Sequence, residues 1–120
     1  MNVLTGVKRQ KKIVIIAGPN GAGKTTLSGL RYARLIPPWQ AQGYRVKLFF
    51  LSLGTPELAV GRVAARVAQG GHNVPEEVIR RRYATGWQNF QERYRLLVDA
   101  WAHYDNSGER PVLVEQGNNQ

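Results

Sequence analysis

The stretch Gly18-Pro19-Asn20-Gly21-Ala22-Gly23-Lys24-Thr25 has the spacing G-x-x-x-x-G-K-[ST] of a phosphate-binding loop. It follows the apolar run Ile13-Val14-Ile15-Ile16-Ala17 and precedes a helix-compatible stretch, so a strand, a loop and a helix are predicted in that order. Gly18, Gly21 and Gly23 let the backbone turn tightly and aim its N–H groups inward at a phosphate chain. The predicted helix would add the positive end of its dipole. Lys24 would reach the terminal phosphates as a point charge, and the Thr25 hydroxyl would complete the shell of a magnesium ion carried by the nucleotide. The plainer alternative is a glycine-rich turn that happens to hold a lysine. The flanking strand and helix signals favour a nucleoside triphosphate, ATP or GTP, or descent from a chain that bound one.

The bulk properties bound the remaining possibilities. A chain of 120 residues makes one domain with a modest core. It has no cysteine, which excludes a disulfide framework and thiolate chemistry. No apolar stretch approaches the roughly 20 residues needed to span a bilayer, and no signal-peptide core follows Lys8, Arg9, Lys11 and Lys12. A soluble cytoplasmic protein is therefore expected, with no membrane partner. The charge is lopsided: residues 1–56 carry nine Lys or Arg and no acid, while the remaining eight basic residues balance all eight acids. A polyanion such as nucleic acid is one reading of that excess. No aromatic residue interleaves with Lys8–Lys12, so a phosphate site beside a solvated basic tail is the favoured reading.

Along the chain, residues 1–11 read as a basic lead-in, 12–116 as the folded domain and 117–120 as a disordered tail. After the first strand, Thr25–Ile36 predicts a helix stopped by Pro37-Pro38, with Gly29 a weak point. Trp39–Gly43 make a short helical or turn connection, and Tyr44–Leu51 a second parallel strand. Thr55 serves as N-cap with Pro56 at the first helical position, opening an amphipathic helix over Glu57–Gln69 that Gly70-Gly71 close. Asn73-Val74-Pro75-Glu76 resembles a capping box for a longer helix with the stripe Ile79, Tyr83, Phe90, Tyr94 and Leu97. Trp101–Asp105 and Pro111–Glu115 read as strands around the turn Asn106-Ser107-Gly108. Alternating strands and helices with a phosphate loop predict an α/β fold, a parallel sheet flanked by helices.

Three segments together resemble the zeta-toxin-like P-loop kinases, which include UDP-N-acetylglucosamine kinases. They are Ala17–Thr26, then Arg66-Val-Ala-Gln-Gly-Gly-His-Asn-Val-Pro-Glu-Glu-Val-Ile-Arg-Arg-Arg-Tyr83, and Tyr104-Asp-Asn-Ser-Gly108. The first is shared by many ATPases, and the second is the specific one. The resemblance implies a P-loop NTPase-like sheet with a mobile lid, and transfer of the ATP γ-phosphoryl to a small molecule such as UDP-N-acetylglucosamine. It also implies an antitoxin-like protein partner. By position, Gly18 to Thr26, with Pro19, Asn20 and Ala22 among them, would form the phosphate loop. Residues 70–75 would form the lid, and Asn106 and Ser107 would lie near the base. Arg62 and Arg66, four apart on the helix leading to the lid, can both point at phosphates and would act with Lys24 in stabilising the transferred group.

One departure is large. The family places two further strands after the loop, one ending in the aspartate that acts as base on the acceptor hydroxyl. Here Thr25-Thr26 runs straight into Leu27-Ser28-Gly29, as an internal deletion would leave it, giving about three to four strands. The acid census agrees, because no carboxylate precedes Glu57. Without that base, transfer should fall by about 10²–10⁴-fold. The deletion would also expose strand Ile13–Ala17 as an apolar edge and favour self-association. The expected function is thus an impaired ATP-binding kinase domain. The alternatives are a non-catalytic nucleotide-binding remnant, an interaction protein or, as the weakest reading, a basic nucleic-acid binder. Of the smaller signals, Arg80-Arg81-Arg82 reads as solvated helix charge and His72 as a phosphate contact or a turn cap. His103 reads as an ordinary strand or surface residue, and Trp39, Trp87 and Trp101 as packing residues.

Overall fold

The computed structural model describes residues 11–21 and 25–119. The chain is α/β, with one mixed four-stranded sheet. Strand β1 is Lys11–Ala17, β2 Tyr44–Ser52, β3 Ala100–Asp105 and β4 Val112–Asn118, in that spatial order. β1, β2 and β3 run parallel, whereas β4 returns antiparallel to β3. The parallel expectation is thus corrected at one edge. The Asn106–Gly108 turn is too short for the crossover a fourth parallel strand needs, so the chain can only double back. β4 continues through Gly117 and Asn118, where a disordered tail was expected, and Asn119 is pinned by its side-chain amide to the carbonyls of Arg95 and Val98.

Period-two alternation sends Ile15 and Ala17, Val46, Leu48 and Phe50, and Trp101 and His103 to one face. Helix α1, Arg31–Ala41, and the long helix α3, Glu76–Asn89, lie over that face. α3 runs on through a π-helical turn, Phe90–Tyr94, and a last turn, Arg95–Leu97. Together they bury Ile36, Phe90, Tyr94 and Val98 against the strands. The stripe expected for the long helix is largely observed: Ile79, Phe90 and Tyr94 are buried, and Tyr83 and Leu97 half-buried. Helix α2, Pro56–Ala68, packs on α3 through Ala59, Val63 and Ile79. Among the described residues nothing covers the opposite face of the sheet, where Val14 is 54% and Ile16 38% exposed.

The end signals of α2 behave as predicted. The Thr55 hydroxyl accepts the N–H of Leu58 at 3.1 Å, and Pro56 takes the first position, where a missing N–H costs nothing. At the other end Gly70 has φ +94°, and the N–H groups of Gly70 and Gly71 close on the carbonyls of Val67 and Arg66. The start of α3 differs from expectation. Pro75, not Asn73, stands at the N-cap, no side chain caps it, and Glu76 turns to Arg80 at 2.9 Å instead of back to the cap.

The first helix is the larger correction. Residues 26–30 are not helical; α1 begins at Arg31 and carries Pro37-Pro38 inside it. The carbonyls that a helix over Thr25–Ile36 would use are held elsewhere. Asn89 Nδ2 donates to Leu27 O at 2.7 Å and Ser28 O at 3.3 Å, and the Tyr94 hydroxyl donates to Gly29 O at 2.9 Å. That hydroxyl also accepts the N–H of Ala33 at 3.2 Å, satisfying a donor in the first turn of α1. Both prolines are exposed, so water can reach the carbonyls whose helical partners they lack.

Gly117 is a slot in β4. A Cβ there would lie 2.8 Å from Trp101 Cζ2, because the indole crosses directly over the glycine it pairs with. Trp101 is then closed by the Phe90 ring edge and by the Arg95 guanidinium 5.2 Å above it. Gly117→Ala is expected to cost about 1–3 kcal/mol of stability through overpacking. Urea denaturation should show a lower midpoint with an unchanged slope.

Candidate functional site

The carboxyl ends of parallel strands are where open α/β sheets place their ligands, and the loop after β1 lies there. Gly18 and Pro19 are buried, Asn20 is half-buried and Gly21 takes φ +89°. The loop closes through Gly18 N–H to Thr25 O at 2.9 Å and a bridge between Ala17 and Thr25. Thr26 Oγ1 lies 3.3 Å from Ser28 Oγ. Ala22, Gly23 and Lys24 lie outside the described residues. The expected helix dipole is not at the loop, because α1 starts six residues beyond Thr25.

Arg62, on α2, joins the loop to the far strand. Its guanidinium donates to Gly21 O at 3.4 Å and to Ser107 O at 3.0 Å. Gly21 is also sterically obligatory, since a Cβ there would meet Arg62 Cβ at 2.8 Å. Gly21, Arg62 and Ser107 are therefore brought together. Arg66 is not: it is exposed one turn further on, at the lid end of α2. Ser107 is fixed from several sides. Its Oγ accepts the N–H of Gly54 at 2.8 Å, and its own N–H donates to Asp105 Oδ1 at 2.9 Å. Through its hydroxyl and its N–H, Ser107 holds the Asp105 carboxyl below the usual carboxylate range. The Asn106 N–H is bonded to Ser52 O at 2.8 Å.

Beside the loop lies a cavity of about 330 Å³ lined by Pro19, Phe50, Ser52, Leu53, Tyr83 and Trp87. Its walls are aromatic and braced. Phe50 stacks on Phe90 at 4.5 Å, Trp87 lies 5.8 Å from Phe50, and the Tyr83 hydroxyl donates to Leu53 O at 2.6 Å. Ser52, at the end of β2, is its polar floor: Ser52 Oγ lies 2.8 Å from His103 Nε2 and 3.2 Å from Tyr104 O.

His103 lies in strand β3, as one of its two expected readings had it, and is buried, not at the surface. It is 8% exposed, opposite Phe50 in the sheet and under the Trp87 ring, whose centroid is 5.0 Å away. Burial pushes its imidazole below the ordinary value, and the nearby Glu115 and Asp105 oppose this only in part. The sequence held a usable signal. Counting by two along each strand puts Ser52 and His103 on the helix-facing side of neighbouring strand ends, but only the register shows that they touch.

No known family matches the chain, and no solved structure matches it. It is similar to a Haemophilus influenzae protein described as uncharacterized, at 30% identity over 60 residues. That match covers 50% of this chain and 43% of the relative, so the chain spans less than half of that protein's length. Among the described residues no helix is long and apolar enough to cross a membrane.

The His103 shift fixes the sign of a pH dependence. A histidine whose pKa is lowered by folding contributes stability above its unfolded value, here 6.5, and loses it as pH falls towards the folded value. Chemical denaturation should therefore show a lower midpoint at pH 5.5 than at pH 7.5 (about one unit either side of 6.5). His103→Gln should narrow that difference. The lowered carboxyls of Glu57 and Asp105 act only in more acid solution.

Proposed function

We propose that the chain is a shortened zeta-toxin-like kinase domain that binds a magnesium nucleoside triphosphate, ATP or GTP, and transfers phosphoryl groups weakly. The acceptor in this reading is a small molecule such as UDP-N-acetylglucosamine, and the setting is a cytoplasmic toxin–antitoxin pair. The observation that carries the reading is the loop Gly18–Thr25 at the carboxyl edge of β1, turned by a left-handed Gly21 with the Arg62 guanidinium against it. Lys24 and the Thr25 hydroxyl would hold the terminal phosphates and the magnesium ion. Bound magnesium would offset phosphate charge, and Arg62 would add a fixed cation beside the loop.

The chain's own residues also set an upper limit on affinity. With no helix starting at the loop, the phosphates are held by loop N–H groups and side-chain cations alone. A helix N-terminus contributes about 0.3–2 kcal/mol to such a site, so binding is expected about 2- to 30-fold weaker than where the helix is present. Among the described residues no carboxylate stands before Glu57, which supports slow transfer to an external acceptor.

One observation favours a second reading, an interaction protein. β1 is an edge strand among the described residues, and Val14 and Ile16 stand exposed on the uncovered face. A depression of about 320 Å³, lined by Ile16, Phe49, Leu51, Tyr104 and Pro111, continues that surface. An open strand Ile13–Ala17 favours pairing with another copy.

A fluorescent ATP analogue titrated with magnesium should bind and be displaced by ATP or GTP, and Lys24→Ala should weaken binding at least about tenfold. Absence of binding at millimolar nucleotide by a folded chain overturns the kinase reading. Light scattering should show concentration-dependent oligomers that Ile16→Lys reduces. A monomer at all concentrations counts against the second reading.

A further inference from the structure

We propose that Ser52 is itself a phosphoryl acceptor, with His103 as the base that takes its proton. The donor half of this inference rests on the nucleotide reading above. The acceptor half rests on geometry alone. Ala17, the last residue of β1, pairs with Phe50, and the chain then leaves the strand into the loop at Gly18 and Pro19. Pro19 and Ser52 line the same 330 Å³ cavity. Ser52 thus offers a hydroxyl to the cavity that Pro19 of the loop borders.

The activation of that hydroxyl is built in. Ser52 Oγ lies 2.8 Å from His103 Nε2, within the reach a nucleophile and its base require. The hydroxyl also donates to the Tyr104 carbonyl at 3.2 Å; in the tautomer with the ring proton on Nδ1, His103 Nε2 is the nearer acceptor for that proton. Burial keeps the imidazole neutral near pH 7, the form able to accept it. Phe50, Tyr83 and Trp87 wall the cavity with apolar surface, which disfavours water as the competing nucleophile. In the step, Ser52 Oγ forms a bond to the γ-phosphorus as the bond from that phosphorus to the β–γ bridging oxygen breaks. The Oγ proton passes to His103 Nε2, and the nucleoside diphosphate leaves with the bridging oxygen's electron pair. The pair does within the chain what the missing carboxylate would have done for an outside acceptor. It also explains why a buried histidine and a serine share the carboxyl end of the sheet.

Two arms test this on the full chain. In the first, the protein is incubated with γ-labelled ATP and magnesium, and peptides are sequenced by mass spectrometry. Phosphate is expected on Ser52, lost in Ser52→Ala and reduced at least about 10²-fold in His103→Gln, with circular dichroism confirming that both variants fold. In the second, an alkyl fluorophosphonate is added without nucleotide. It should label Ser52 in the wild type, label the His103→Gln variant far more slowly, and fail on protein already phosphorylated.

A chain that binds the fluorescent nucleotide but leaves Ser52 unmodified overturns this inference and leaves the nucleotide reading intact. A chain that binds no nucleotide yet labels with the fluorophosphonate keeps an activated serine but removes its donor, which overturns the proposal as stated. Phosphate that persists in Ser52→Ala overturns it as well.

Discussion

The stack of Phe50 on Phe90, 4.5 Å between centroids with nearly parallel ring planes, joins the central strand to the long helix, and much of the molecule follows from it. Phe50 and Phe90 are both almost wholly buried, and aromatic pairs in such contact gain about 0.5–1.5 kcal/mol beyond the burial of their area. The contact sets the height of α3 over the sheet. That height brings Trp87 over His103 and Tyr83 to the Leu53 carbonyl, which makes the cavity wall. It also places Asn89 and Tyr94 where they can reach residues 27–33. The π-helical turn serves the same end, because it brings both Phe90 and Tyr94 inward from consecutive turns.

Below the stack, polar groups secure the other end of the sheet. Asp99 Oδ2 accepts the Val46 N–H at 2.8 Å and the Gln40 side chain at 3.2 Å, tying α1, β2 and the start of β3 together. Gln40 also donates to Leu97 O, and Asn119 takes up the carbonyls at the end of the helical run. These bonds satisfy groups that would otherwise be stranded where several chain ends converge, a situation that costs more than any single bond returns. Ionic contacts matter less. The Arg80 bridges to Glu57 and Glu76 are short, but they lie on the surface and are screened by solvent.

The one-sided layering connects architecture to function. A parallel sheet is usually covered on both faces, and among the described residues helices cover one here. The consequence is an enclosed site at the carboxyl ends, where α2 and α3 close over the strands, and a bare apolar face behind. The carboxyl end holds the loop after β1, braced by Arg62, and a serine–histidine pair under aromatic walls. On the bare face the Lys47 ammonium lies 5.0 Å over the Phe49 ring, while the adjoining depression along Ile16, Leu51, Tyr104 and Pro111 is apolar and has a physical tendency to associate.

By itself the sequence determined the strands, the caps of α2 and the loop, because each depends on contacts within a few residues. A continuous apolar run marked β1 and a β-branched, aromatic run marked β2, Thr55-Pro56 opened α2, and Gly70-Gly71 ended it through a left-handed turn. The stripe Ile79, Phe90, Tyr94 was equally legible from helical spacing. Tertiary structure decided the rest. Residues 26–30 mix Leu27 and Leu30 with the poorer helix formers Thr26, Ser28 and Gly29, and the carbonyls of Leu27, Ser28 and Gly29 are held by Asn89 and Tyr94, about sixty residues away. Whether β4 would run parallel or antiparallel depended on a turn's length relative to the sheet. His103 and Ser52 became a pair only when β2 and β3 met in register, since a hydrogen bond between distant residues has no local signature to read.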